Sequence, residues 1–140
     1  MVGYFYGGIM EYKYVGFLDE KIANSCGISE HKNKPILVYN NRIDHVLEHH
    51  TTDFGNKENV MNAYNNIPNV IKKPDYFFYN KKTNGLEYYK KLNNDLCVAV
   101  RISPGKVLKV KSWYPPNKGK IANRRKKEIE EKINKNKISI

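Results

Sequence analysis

The chain has 140 residues, 40% of them hydrophobic, and a formal net charge of +11. This length fits one compact domain that can bury a core without disulfides or metals. No apolar stretch approaches the roughly 20 residues that cross a bilayer, and the N-terminus lacks the basic start of a signal peptide. We therefore expect a soluble protein. Its two cysteines, Cys26 and Cys97, have no metal-type spacing and point weakly to a reducing compartment.

The positive charge is concentrated in the second half of the chain. Residues 1–70 carry 6 Lys/Arg and 8 Asp/Glu, whereas residues 71–140 carry 19 and 6. A polycationic half favours nucleic acid, an anionic membrane or an acidic protein as partner. The abundance of Asn, Lys, Ile and Tyr, as expected from an AT-rich genome, is an alternative source of the charge.

The first half of the chain combines short strands with helical patterns. The predicted elements, in chain order, are a strand over 12–18, a short helix over 19–25 ended by Gly27, a strand over 35–39, a helix capped by Asn40 or Asn41, a loop over 51–56, and a helix over 58–66 that Pro68 stops or bends.

After residue 75 the pattern changes to that of strands. They are predicted over 76–80, 86–91, 96–102 and 107–114, with a hairpin signal at 81–85. Short connections between them predict a four-stranded antiparallel β-meander. The fold class is therefore α+β, with N-terminal helices packed on the meander. Residues 1–116 are expected to form this domain, and residues 117–140 a basic helical tail.

Three of the four histidines fall within six residues of the second predicted helix. Histidine is the side chain best suited to proton transfer near neutral pH. Arg42, His45 and His49 share one helix face, whereas His50 lies about 140° round from His45. A regular helix therefore cannot point all three histidines into one cleft, but a helix that ends near Glu48 would release His50. The alternatives are a His45 bonded to backbone and a solvated His49.

A zinc site is a further alternative for this segment. His45 and His49, at i and i+4, can bind one metal ion, with His31 or Asp53 as a third ligand. Nothing in the spacing requires that third ligand, and no HExxH arrangement is present. We therefore predict neither a metal nor a cofactor.

Cations on the predicted sheet are candidates for contacts to phosphate. Lys90 shares one strand face with Leu86 and Tyr88, whereas Arg101 points to the face opposite its apolar neighbours Val100 and Ile102. The guanidinium fork suits phosphate oxygens, although a structural ion pair or a solvated sheet face is the alternative for Arg101. The predicted nucleic-acid-binding residues are Arg42, Lys90, Arg101, Lys109, Lys111, Arg124 and Arg125.

The last predicted strand carries two hydroxyl groups. Alternation places Ser112 and Tyr114 on the same strand face as Val110, where they could orient a phosphate or a base. A hydrogen bond from Ser112 to neighbouring backbone is the alternative. Trp113 points the other way, and a core role is favoured for it over stacking on a base. Cys97 is expected to be a buried thiol.

The ordered set of motifs resembles a known family of nucleases. These motifs are Val15-Gly16-Phe17-Leu18, Pro35-Ile36-Leu37-Val38-Tyr39, His45-Val46-Leu47-Glu48-His49-His50, Ile67-Pro68-Asn69-Val70-Ile71-Lys72-Lys73-Pro74-Asp75 and Val110-Lys111-Ser112-Trp113-Tyr114. They resemble the phage-associated branch of the barnase–EndoU–colicin–RelE-like nucleases, over roughly residues 13 to 115. In the family pattern His45 and His50 match best, whereas helical geometry favours His45 with His49.

The resemblance implies a helix packed on a four-stranded antiparallel sheet and RNA cleavage through the ribose 2′-hydroxyl, without metal. The catalytic residues implied are His45, His49 or His50, Ser112 and Tyr114. RNA, with tRNA as one candidate, is the expected substrate in the cytoplasm of a bacterium or a phage-infected cell. An immunity or antidote protein is a further candidate partner, and the oligomeric state stays open.

Two non-catalytic functions are alternatives to the nuclease. A mobile element could use the same fold to bind nucleic acid or to block a host protein. A phage could use it as a structural, head-associated domain.

Overall fold

The computed structural model describes residues 2–5, 8–92 and 94–116, with side chains from residue 11 onward. The predicted tail, with Arg124 and Arg125, lies outside the described residues. The elements in chain order are β1 (Val2–Phe5), β2 (Gly8–Phe17), α1 (Glu20–Cys26), a 3-10 turn (Ser29–His31), β3 (Pro35–Tyr39), α2 (Asn40–Phe54), α3 (Lys57–Lys72), β4 (Tyr76–Asn80), β5 (Gly85–Lys90), β6 (Leu96–Arg101) and β7 (Leu108–Tyr114).

The strands form one mixed sheet, so the fold is α+β. Its order over the described residues is β1-β2-β3-β7-β6-β5-β4. β3 and β7 pair in parallel, whereas the other neighbours are antiparallel. The sheet therefore contains more strands than the four that were expected, because β1, β2 and β3 join it beside β7. Sequence reasoning did not join the early strands to the late ones, and it missed β1, which pairs with the start of β2.

Helix α1 was predicted correctly because its end signals are strong. The Asp19 carboxylate accepts hydrogen bonds from the backbone N–H groups of the first turn, and Gly27 ends the helix with φ +73°. Helix α2 begins at Asn40 without a side-chain cap, so the expected Asn cap is wrong. It also continues through the predicted loop to Phe54.

Helix α3 extends beyond its predicted end at residue 66 and continues to Lys72. Pro68 lies inside the helix and does not stop it. Its buried residues are Val60, Ile67, Val70 and Ile71. The indole nitrogen of Trp113 donates a hydrogen bond to the Val60 carbonyl at 3.2 Å. The predicted core role of Trp113 is thus confirmed. None of the helices in the described part of the chain is both long and apolar enough to cross a membrane.

The sheet has two chemically different faces. Paired residues share a face, so the register sorts the side chains. The inner face, on which α3 packs, carries Ile36, Val38, Leu86, Tyr88, Val98, Val100, Leu108, Val110 and Trp113, all buried. The outer face carries Tyr12, Tyr14, Leu37, Tyr39, Ala99, Arg101, Lys109, Ser112 and Tyr114.

A β-bulge in β7 decides which face Ser112 and Tyr114 occupy. Val110 pairs with Val100, but Ser112 pairs with the adjacent Ala99, so Lys111 is an extra residue in β7. Ser112 and Tyr114 therefore lie on the opposite face from Val110. The prediction that they share its face is wrong, because simple alternation takes no account of a bulge.

Candidate active site beside helix α2 and strand β7

Helix α2 lies along the part of the β7 edge that β3 leaves unpaired. β3 pairs with β7 at two positions and ends at Tyr39, where the chain turns directly into α2. The Arg42 Nε donates a hydrogen bond to the Lys111 carbonyl oxygen at 2.9 Å. Eight residues later, the His50 ring stacks on the Tyr114 ring with centroids 5.5 Å apart. These two contacts fix the helix along the strand.

The spacing of α2 and β7 places His45 level with Ser112. Arg42 and His50 are about 12 Å apart along a helix axis, and Lys111 and Tyr114 are about 10 Å apart along a strand. The two contacts are therefore separated by similar distances along the helix and along the strand, so the two elements run side by side in the same direction. His45 follows Arg42 by one turn, as Ser112 follows Lys111. His45 and Ser112 therefore lie at about the same height along the helix and the strand. We call the surface where α2 meets β7, with Arg42, His45, His49 and Ser112, the groove.

His45 and His49 form a close pair of imidazoles. Their ring centroids are 4.5 Å apart, and His45 is partly buried while His49 is exposed. Burial, followed by the charges of Arg42, His49 and His50, lowers the pKa of His45, and Glu48 opposes the shift. His45 is therefore biased toward its neutral form, in which one ring nitrogen can accept a proton.

His50 is directed away from that pair. Its Nδ1 lies 3.0 Å from the Asp53 Oδ2, and its ring stacks on Tyr114. The helix does not end near Glu48, so the release of His50 that sequence reasoning considered does not occur. The regular helix brings His45 together with His49 and gives His50 a separate position at the end of β7.

Ser112 is the buried polar residue of this site. Its side chain is 7% exposed, and its Oγ has no hydrogen-bond partner. The alternative considered from sequence, a hydrogen bond from Ser112 to neighbouring backbone, is thus absent among the described residues. A buried hydroxyl without a partner is costly and uncommon in folded proteins. The Ser112 hydroxyl therefore has hydrogen-bonding capacity that no described residue uses.

The predicted cations occupy different places around this groove. Lys109 lies 5.2 Å from the centroid of the Tyr39 ring, and Lys111 is exposed. Arg101 is exposed and pairs in register with Lys109 on the outer face. Arg42 uses Nε for the Lys111 carbonyl, which leaves the other guanidinium N–H groups for a further acceptor.

Lys90 is not brought to this groove. It pairs in register with Leu96, so it projects from the face opposite to Cys97 and Tyr114. Its ammonium group donates a hydrogen bond to the Lys73 carbonyl oxygen at 2.6 Å, just after α3. Lys90 thus provides a hydrogen-bond donor for a carbonyl group at the C-terminal end of α3.

Two observations bear on the metal alternative. Within residues 2–5, 8–92 and 94–116, no group of three or more His, Cys, Asp or Glu side chains is arranged to hold a metal ion. His31, the third ligand considered from sequence, has its Nδ1 2.7 Å from the Lys34 Nζ. The residues considered as zinc ligands are therefore not assembled into one site among the described residues.

Sequence reasoning missed two aromatic residues next to the groove. Tyr12 and Tyr39 lie opposite each other on β2 and β3, and their ring centroids are 5.7 Å apart. The sequence pattern predicts only that both residues lie in strands. The signal was available in the alternation of tyrosines at 12 and 14, but their proximity to Lys109 depends on the parallel pairing of β3 with β7.

A family model matches most of the chain and identifies its class. The phage-Barnase-EndoU-ColicinE5/D-RelE like nuclease3 family matches residues 12–123. The chain belongs to this family of nucleases, which confirms the resemblance seen in the motifs. The match includes all of α2 and β7, and hence the whole groove. No curated protein and no solved structure matches the chain.

Proposed function

We propose that the protein is an endoribonuclease that cleaves RNA through the ribose 2′-hydroxyl without a metal ion. The family supports nuclease activity. The observation that carries the finer proposal is the pair of imidazoles at 4.5 Å beside a guanidinium group. Metal-independent cleavage requires a base, an acid and a cation near the phosphate, and this groove offers a candidate for each.

His45 is the proposed general base. A base must be neutral when it takes the proton of the 2′-hydroxyl, and the lowered pKa of His45 favours that form. As the proton moves to the imidazole, the 2′-oxygen forms a bond to phosphorus. A base or acid of this kind typically contributes about 10²–10⁴-fold to the rate.

His49 is the proposed general acid. It donates a proton to the 5′-oxygen as the bond from phosphorus to that oxygen breaks, which leaves a 2′,3′-cyclic phosphate and a 5′-hydroxyl. Its ring lies next to that of His45. His50, which the family pattern favours as the second histidine, is the alternative acid, and its contact with Asp53 would orient its ring.

Arg42, Ser112 and Tyr114 are proposed to hold the phosphate. The free N–H groups of Arg42 face the charge that develops on the phosphoryl oxygens, which is where preorganised donors are most effective. The Ser112 hydroxyl gains the partner that it lacks. Lys109, Lys111 and Arg101 supply less specific attraction to the RNA backbone.

The experiment compares three matched oligonucleotides in buffer with excess EDTA. These are an RNA, the same RNA with one 2′-deoxy nucleotide at the mapped cleavage position, and the all-DNA sequence. We expect cleavage of the RNA alone, with 2′,3′-cyclic phosphate ends detected by mass spectrometry. Cleavage of the 2′-deoxy substrate at the same bond would contradict the mechanism.

A control variant separates catalysis from folding. His31→Gln changes a histidine that lies outside the groove and should leave cleavage intact. RNA binding by the folded wild type without any cleavage would instead favour the non-catalytic nucleic-acid binder.

A further inference from the structure

The outer face carries an aromatic surface beside the groove that the proposed mechanism does not use. Tyr12 and Tyr39 are opposite in the register of β2 and β3, with ring centroids 5.7 Å apart. The Lys109 ammonium group lies 5.2 Å from the centroid of the Tyr39 ring. We call these three residues the tyrosine platform.

The tyrosine platform has exposed aromatic residues on one side of it and the groove on the other. On β2, Tyr14 and Phe17 are 45% and 49% exposed, so further aromatic surface is accessible to solvent. On β7, Ser112 follows Lys109 on the same face, about 10 Å along the strand. The outer face of the sheet therefore carries, side by side, aromatic rings on which bases can stack, the Lys109 ammonium group and the Ser112 hydroxyl.

We propose that the tyrosine platform binds the unpaired bases of a single-stranded RNA segment next to the scissile phosphate. Bases stack on Tyr12 and Tyr39, while Lys109 contacts the backbone that leads to Ser112. This inference rests on the proposed action on RNA, and it adds the class of substrate: a loop or a single strand rather than a duplex.

The chemistry of the platform favours single-stranded nucleic acid over other occupants. Aromatic rings stack on any base whose π-face is accessible, and cations beside them attract phosphate. In a duplex those π-faces are covered by neighbouring base pairs. Arg101 adds a second cation next to Lys109. The carboxylate of Glu87, on the same face, lies two strands from β7 and accepts a hydrogen bond from Tyr89.

The test measures the binding of a fluorescein-labelled, fully 2′-O-methylated single strand by anisotropy. This probe lacks the nucleophilic hydroxyl, so binding is read without cleavage. Base stacking on an aromatic side chain contributes enough that its loss weakens binding about 5- to 150-fold. We expect a weakening in that range for Tyr12→Leu and Tyr39→Leu, and little change for Tyr12→Phe and Tyr39→Phe.

Two controls make the result specific. The same probe annealed to its complement should bind at least tenfold more weakly than the single strand at equal salt. Lys109→Gln should weaken single-strand binding more than Lys57→Gln, which removes the same charge at the exposed start of α3. Equal single-strand binding by the Leu and Phe variants, when circular dichroism shows that all of them are folded, would contradict the proposal that bases stack on the tyrosine platform.

The platform and the nuclease can fail separately. If the protein cleaves RNA but the Leu variants bind and cleave as the wild type does, the platform is wrong and the mechanism stands. If no RNA is cleaved but ring-dependent binding of the single strand is seen, the platform stands and the catalytic proposal fails.

Discussion

The two faces of the sheet differ in what their polar groups do. On the inner face, the indole of Trp113 is fully buried and satisfied by the Val60 carbonyl. On the outer face, the groove beside α2 combines a Ser112 hydroxyl without a partner, the exposed Lys109 and the adjacent imidazoles of α2. The polar groups of the inner face, including the Tyr88 hydroxyl, which has no partner among the described residues, are sealed in the core, whereas those of the outer face lie beside α2, where a ligand can satisfy them.

The β-bulge at Lys111 creates this difference within one strand. Before the bulge, Val110 contributes to the inner core, and after it Trp113 does so. The extra residue moves Ser112 and Tyr114 to the outer face, next to α2. β-bulges are common beside active sites because they redirect side chains without breaking the sheet.

The largest expected effect is the loss of the proposed acid. His49→Ala should lower kcat by about 10²–10⁴-fold, because a general acid typically contributes that much. His50→Ala should have a smaller effect, since His50 contacts Tyr114 and Asp53 and not the His45 ring. Single-turnover cleavage of one RNA by both variants measures the difference. A larger loss of kcat for His50→Ala than for His49→Ala would make His50 the general acid, as the family pattern favours.

The next largest effect is on stability and tests the inner face. Trp113→Ala should lower the free energy of unfolding by about 3–5 kcal/mol, as expected when a fully buried aromatic side chain is removed. Urea denaturation followed by circular dichroism measures this change. A loss below about 1 kcal/mol would show that Trp113 does not anchor α3 to the sheet.

Two buried hydroxyls without partners, Ser112 and Tyr88, provide a matched pair across the sheet. Ser112→Ala and Tyr88→Phe should each leave stability nearly unchanged, since each removes an unsatisfied polar group. Ser112→Ala should also slow cleavage about tenfold or more, because a hydrogen bond to a charged phosphate is worth about 1.5–3 kcal/mol. Tyr88→Phe should cleave at the wild-type rate. Equal rates for the two variants would remove Ser112 from the site.

The smallest expected effect is a shift in pH dependence. The positive charge of Arg42 helps to lower the pKa of His45, so Arg42→Gln should raise that pKa. Because the base must be neutral, cleavage is lost as the pH falls through the pKa of His45. The acidic limb of the profile of kcat/KM against pH should therefore move to higher pH in this variant.

Lys90→Gln is the matched control for that shift, because it removes one positive charge on the opposite face. Its acidic limb should coincide with that of the wild type. A similar shift in both variants would indicate a general effect of net charge and not a contact within the groove.

The sequence predicted elements where local signals are strong. Asp19 and Gly27 mark the two ends of α1, and the run 35–39 is a strand in the structure. Family membership also followed from the order of motifs and is confirmed. The helix ends and the strand depend on short-range preferences, which are readable without knowing the tertiary contacts.

The features that build the groove were not predictable in the same way. The parallel pairing of β3 with β7 joins segments about 70 residues apart in the chain and has no local signature. The polar sequence 51–56 predicts a loop, but α2 continues to Phe54 and ends at Gly55, whose N–H bonds to the carbonyl groups of Thr51 and Thr52. The bulge had one signal, a Ser at a core position followed by a Trp at an exposed one.

The most direct test of the account is the cleavage rate of purified wild type and His45→Ala on one RNA in excess EDTA. The account predicts that the wild type cleaves and that the variant, folded by circular dichroism, is about 10²–10⁴-fold slower. Equal rates for the two proteins, or no cleavage by the wild type unless a divalent metal is added, would contradict it.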